Sequence, residues 1–99
     1  MKMEYVLYQA PINCPYVFRD FKFAMENNWD KGDYVPVWKG EIEAETVNSA
    51  LEELFIIFNT ERPEYYFGRS LSVSDIVRLN GKYYYCDSFG WKCPNNERK

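Results

Sequence analysis

The sequence predicts an α+β domain: a small antiparallel sheet with a C-terminal β-hairpin and one main amphipathic helix packed on it. Two segments carry that expectation. Residues 46–58, TVNSALEELFIIF, set Val47, Ala50, Leu51, Leu54, Phe55 and Phe58 at the i, i+3, i+4, i+7 spacing of a single helical face. Residues 75–87, DIVRLNGKYYYCD, join two strand-forming runs through Asn80-Gly81, a pair that accepts the positive φ angles of a type I′ turn.

The other elements follow in chain order. Residues 3–9, MEYVLYQ, read as a first strand because aromatic and β-branched residues dominate. The break APINCP carries Pro11 and Pro15. Residues 16–26, YVFRDFKFAME, stay open between a strand and a short helix. Phe21 and Phe23 alternate with Asp20 and Lys22, yet Val17, Phe21 and Ala24 also fit a helical face. NNWDKGD reads as a loop and YVPVWKGEI as a second strand, whose Pro36 lacks the N–H of an interior ladder and argues for an edge. Thr46 is the expected N-cap of the helix, with Glu41, Glu43 and Glu45 near the positive end of its dipole. At about 100° per residue, Glu45 and Glu52 fall opposite the apolar stripe, Glu53 falls on its shoulder, and Ile56 is left among carboxylates. NTERPEYYFGR is a further loop, and nothing in the chain repeats.

The 99 residues, read as a single domain over 1–99, include nine Tyr, seven Phe and three Trp. A domain this size buries only roughly 60 to 70 per cent of its unfolded surface, so some aromatic area is expected to stay exposed and available to a partner. No apolar run approaches the ~18 residues of a membrane helix and no signal peptide is read, so the expectation is a soluble, cytoplasmic protein. Three cysteines at irregular spacing do not make a disulfide framework and read as free thiols. Net charge is −3, but it is segregated. Residues 1–40 balance, residues 41–64 hold seven glutamates against Arg62, and residues 65–99 hold six bases against three acids. Such a layout steers association with a partner of opposite sign.

The stretch SLSVSDIVRLNGKYYYCDSFGWKC, residues 70–93, gathers serines, acids, tyrosines and two cysteines. It lacks the partners that chemistry needs. A serine or cysteine nucleophile needs an activating base, commonly histidine, and the chain has no histidine; no SxxK sequence offers a lysine instead. Cys86 and Cys93 lack the CxxC-type spacing of a structural zinc site. The five glycines are scattered singly and form no phosphate loop. Asp75 is expected to cap a turn by accepting backbone N–H bonds. The stretch reads as the frame of a small sheet, and the chain as no enzyme, with no cofactor or metal. Direct nucleic-acid binding is disfavoured by a pI near 4.9 and by the absence of a dense basic patch.

The same stretch resembles the YodL-like domain family, small domains of bacterial plasmids and mobile elements. SLSVSDIV, a short hairpin and YYCDSFGW match that family's pattern, and further agreement lies in YVLYQ (5–9), YVPVWKG (34–40), Phe58-Asn59 and Arg62-Pro63. Trp91 stands where phenylalanine is common, and Arg69 where histidine is frequent. The resemblance implies an accessory or interaction role and transfers no catalytic residue.

These readings converge on one expectation: a non-enzymatic inhibitor encoded by a mobile element, which binds a basic nucleic-acid-handling host protein such as a CRISPR effector nuclease. Effectors of that kind hold RNA and DNA in positively charged channels. The partner-binding residues are then Glu41, Glu43, Glu45, Glu52, Glu53 and Ile56. The alternative is a regulatory or structural protein-interaction module that uses an aromatic surface near Tyr65, Tyr66, Tyr84 and Trp91.

Overall fold

The computed structural model describes residues 1–94. Five antiparallel strands make one sheet: β1 (Lys2–Gln9), β2 (Val35–Glu43), β3 (Ile76–Leu79), β4 (Lys82–Cys86) and β5 (Trp91–Lys92), in the order β2-β1-β3-β4-β5. The helices α1 (Phe21–Glu26) and α2 (Val47–Thr60) pack on opposite faces of it, and a 3₁₀ turn spans Lys31–Asp33. The expected α+β architecture is present, with the main helix mid-chain and the C-terminal strands short.

β1 buries Met3, Tyr5, Leu7 and Gln9, every second residue, because it lies inside the sheet between β2 and β3. β2 forms the edge that Pro36 implied. Its register against β1 slips after Leu7, which faces Trp38, to Tyr8, which faces Pro36; Val37 is the extra residue of a bulge. Gly40 sits opposite Tyr5, and a Cβ there would come within 3.2 Å of the tyrosine hydroxyl oxygen. The β3–β4 hairpin turns at Asn80 (φ 51°) and Gly81 (φ 85°), as the Asn-Gly pair requires.

α2 begins at Thr46 in a capping box. The Ser49 N–H donates to Thr46 Oγ1 at 3.0 Å, and the Thr46 N–H donates to Ser49 Oγ at 3.2 Å. Ala50, Leu51, Leu54 and Phe58 bury against Met3, Leu7, Ile42, Val77 and Leu79. Phe55, expected within that stripe, is instead 39% exposed, and Ile57 packs half-buried on the core. The two residues lie on opposite flanks of Leu54, and the sheet meets the flank that carries Ile57.

The undecided segment 16–26 resolves into a turn followed by the short helix α1, which takes only Phe21–Glu26. Asp20 caps it by accepting from the Phe23 N–H at 2.9 Å. Ala24 is buried with Tyr16, Tyr34, Ile76 and Tyr85 in a second core, where Phe21 meets Tyr85 edge-on at 5.3 Å. This layer covers only the Tyr8–Ile76–Tyr85 end of its sheet face. The other end stays open as a shallow groove of about 500 Å³, with Lys2, Glu4, Val6 and Arg78 in its walls.

Candidate functional site

The residues densest in chemistry hold the fold together. Asp75 is fully buried at the entrance to β3. Its Oδ2 accepts from Gln9 Nε2 at 3.0 Å and from the Ser72 N–H at 2.9 Å, the turn-capping role read from the sequence. The Gln9 amide then brackets Arg69, donating to its carbonyl at 2.9 Å and accepting from its N–H at 3.0 Å. Arg69 Nη2 donates to the Ala10 carbonyl at 2.7 Å. Ser74, at φ 89°, is held from two sides: its Oγ accepts the Phe18 N–H at 2.9 Å, and its carbonyl accepts the Tyr34 hydroxyl at 2.6 Å.

Burial pushes the Asp75 carboxyl up to about 7, against the pull of its bonds from Ser72 and Gln9 and the Arg69 charge. A carboxyl that titrates near neutrality suits acid–base work. Asp75, however, is sealed from solvent and surrounded by main-chain groups and the Gln9 amide, so no substrate atom reaches it.

The second half of the stretch is equally structural. Asp87 Oδ1 accepts the N–H groups of Phe21 at 2.9 Å and Ser88 at 2.8 Å, and Oδ2 meets Lys92 Nζ at 2.9 Å. Partial burial works to raise this carboxyl, but Phe21, Lys92 and Ser88 together hold it below the ordinary value. The Tyr85 hydroxyl donates to the Arg19 carbonyl at 2.7 Å, so β4 and its following turn fix the start of α1. Cys86 is buried, and burial, followed by the charges of Asp75, Asp87 and Glu52, pushes its thiol up to about 12, the reverse of activation. Cys14 is half-buried and Cys93 exposed, both as free thiols. Among the described residues no cluster of three or more Cys, Asp or Glu could hold a metal ion.

The six acidic-face residues divide into two groups. Glu45, Glu52, Glu53 and Ile56 are all exposed, at the start and along the outer side of α2. Glu41 and Glu43 are exposed on β2. Their neighbour Ile42 points into the α2 core, so the strand's period of two turns them to the opposite sheet face, where Glu41 borders a second shallow groove with Lys39 and Arg78. There Glu43 pairs with the N-terminal ammonium at 3.1 Å, and Glu41 lies 3.9 Å from Lys2 Nζ. They belong to the sheet and not to the first turn of α2, which holds no acid.

The YodL-like domain model matches residues 6–94. The chain belongs to that family. No curated protein and no solved structure matches it.

This YodL-like domain leaves three aromatic side chains almost bare: Phe67 at 92%, Phe89 at 89% and Tyr65 at 77% exposure. The expected aromatic surface is corrected accordingly. Tyr65 is on it, but Tyr66, Tyr84 and Trp91 pack half-buried on the main core, Tyr66 lying edge-on to Phe58 at 5.0 Å and to Trp38 at 5.9 Å. Phe67 and Phe89 each precede a glycine in a loop, a signal that the sequence offered. Phe67 stands with Pro11, Val35 and Val37 around a shallow apolar recess of about 270 Å³.

Proposed function

We propose that this domain is a non-enzymatic binding protein whose α2 face engages a basic, nucleic-acid-handling protein, in its most specific form as a mobile-element inhibitor of an RNA-guided nuclease. One observation carries the reading: an Ile56 that is 57% exposed has the exposed Glu52 and Glu53 one turn before it, and Glu45 is exposed at the start of the same helix, which has a complete N-terminal capping box. None of the three carboxylates is in an ion pair among the described residues. They are free to compete with nucleic-acid phosphates for lysines and arginines in a cationic channel. Ile56, with Phe55 at the flank, supplies apolar area to desolvate the contact. The helix is held at its far end too, where Asn59 Nδ2 donates to the Leu71 carbonyl at 3.0 Å, so little ordering remains to be done on binding.

The test is retention of a purified RNA-guided effector nuclease on immobilised domain, wild type against the triple variant Glu45→Lys, Glu52→Lys, Glu53→Lys. Loss of retention in a variant with unchanged circular dichroism supports the reading; equal retention discards it. The bare aromatics Tyr65, Phe67 and Phe89 favour a second reading, an interaction module without a defence role. Salt separates the two. Between about 0.1 M and about 1 M the screening length falls from ~10 Å to ~3 Å, which weakens carboxylate binding steeply and aromatic binding little.

A further inference from the structure

We propose that the outer edge of β2 docks a second copy of this chain, joining two sheets through an antiparallel β2–β2 pair centred on Gly40.

The hydrogen-bond phase of β2 follows from its end. The Met1 ammonium donates to the Ala44 carbonyl at 2.8 Å, and the Ala44 N–H donates to the Met1 carbonyl at 3.0 Å. Residues 1 and 44 therefore exchange both bonds, and alternation makes Met3–Ile42 and Tyr5–Gly40 the next bonded pairs. Lys39, Glu41 and Glu43 consequently turn their N–H and C=O groups away from β1. β2 is an outer strand of the sheet, so these groups form a row that is unpaired among the described residues. Pro36, which has no N–H, and the bulge at Val37 end the row on one side without covering it.

A two-fold axis presents each copy with the same edge reversed. Centred on Gly40, it sets Lys39 opposite the partner's Glu41, and Glu41 opposite the partner's Lys39. Both are outward-bonded positions, and both pairs carry opposite charge. Their side chains lie on the open sheet face, where Lys39, Gly40 and Glu41 border a groove of about 420 Å³. Gly40 then faces its own copy at the narrow spacing, with Cα atoms about 4.5 Å apart, and brings no side chain to crowd it. Centring on Glu41 would instead oppose two glutamates, which like-charge repulsion disfavours. The Gly40 register also sets Trp38 opposite the partner's Ile42 on the helix-bearing face, an apolar pair in the same ladder.

Light scattering and sedimentation across a concentration series test this on the whole chain. The expected result is a mass that rises from 11.9 kDa toward twice that value. Lys39→Glu or Glu41→Lys alone puts like charges into both symmetric pairs, and each is expected to weaken association about ten- to thirty-fold. The double exchange, Lys39→Glu with Glu41→Lys, restores it. Glu41→Pro removes an outward N–H while sparing the bonds to β1, so it yields a monomer with unchanged circular dichroism. A wild-type mass of one chain at every concentration overturns the proposal. So does a dimer that survives all three single variants, or an exchange variant that folds but does not regain association.

Discussion

Gln9, at the end of β1, and Asp75, at the start of β3, are 66 positions apart in sequence and meet at 3.0 Å in a buried site. One amide thereby ties the first strand to the loop that delivers the third. It bonds the Asp75 carboxylate and both main-chain groups of Arg69, which a shorter or apolar side chain at position 9 could not do.

The burial of Asp75 at that contact makes stability depend on pH. The Asp75 carboxyl is raised from 3.8 to about 7 by burial, so the folded state holds the proton more tightly than the unfolded chain does. Its contribution is full below pH ~4 and is lost as pH rises through about 7, a change on the order of a few kcal/mol. Urea unfolding at a series of pH values between 4.5 and 8 should therefore give midpoints that fall as pH rises. Asp75→Asn, which cannot ionise, should flatten the series. An equally steep series in the variant would remove Asp75 as its origin.

Gly68 has a neighbour that leaves no room for a side chain. A Cβ there would overlap the Tyr66 hydroxyl, which donates to the Arg69 carbonyl at 2.6 Å. Because the Tyr66 ring is wedged against Trp38 and Phe58, relief would disturb the main core. Gly68→Ala is expected to cost about 1–3 kcal/mol, read as a lower unfolding midpoint. A midpoint equal to wild type would mean that Tyr66 moves aside freely.

Thr46 closes α2 through bonds in both directions with Ser49. Removing its hydroxyl in Thr46→Ala should cost about 0.5–2 kcal/mol, and Thr46→Ser should recover most of the loss. Thermal unfolding of the two variants side by side checks this; equal loss in both would show that the hydroxyl is not what matters.

Features encoded within a few residues were legible in the sequence. Pro36 marked an edge strand, Thr46 a helix start and Asn80-Gly81 a tight hairpin, because each acts on main chain within a few residues of itself. The segment 16–26 was not decided by its aromatics, since Phe21 and Phe23 both bury partly and so mimic strand alternation within a six-residue helix. The local cue was Asp20 three residues before Phe23, whose N–H it accepts. The acidic cluster shows a different limit. Glu41, Glu43 and Glu45 look continuous in sequence, but β2 sends the first two across the sheet from α2. The Gln9–Asp75 contact and the exchange of Phe55 for Ile57 both depend on which surface arrives opposite, which no local pattern encodes.

β1 leaves the ribosome before the other four strands, yet it occupies an interior position in the finished sheet, flanked by β2 and by the late strand β3. A nascent chain that has emerged only as far as α2 can pair β1 with β2 and lay the helix on them, but the other flank of β1 stays bare. Closure waits for Ile76–Leu79 to thread into that gap, a contact of long sequence separation that is slow to form. Until then the growing polypeptide displays a sticky apolar strand, so chaperone capture or premature aggregation during translation is the hazard this topology carries.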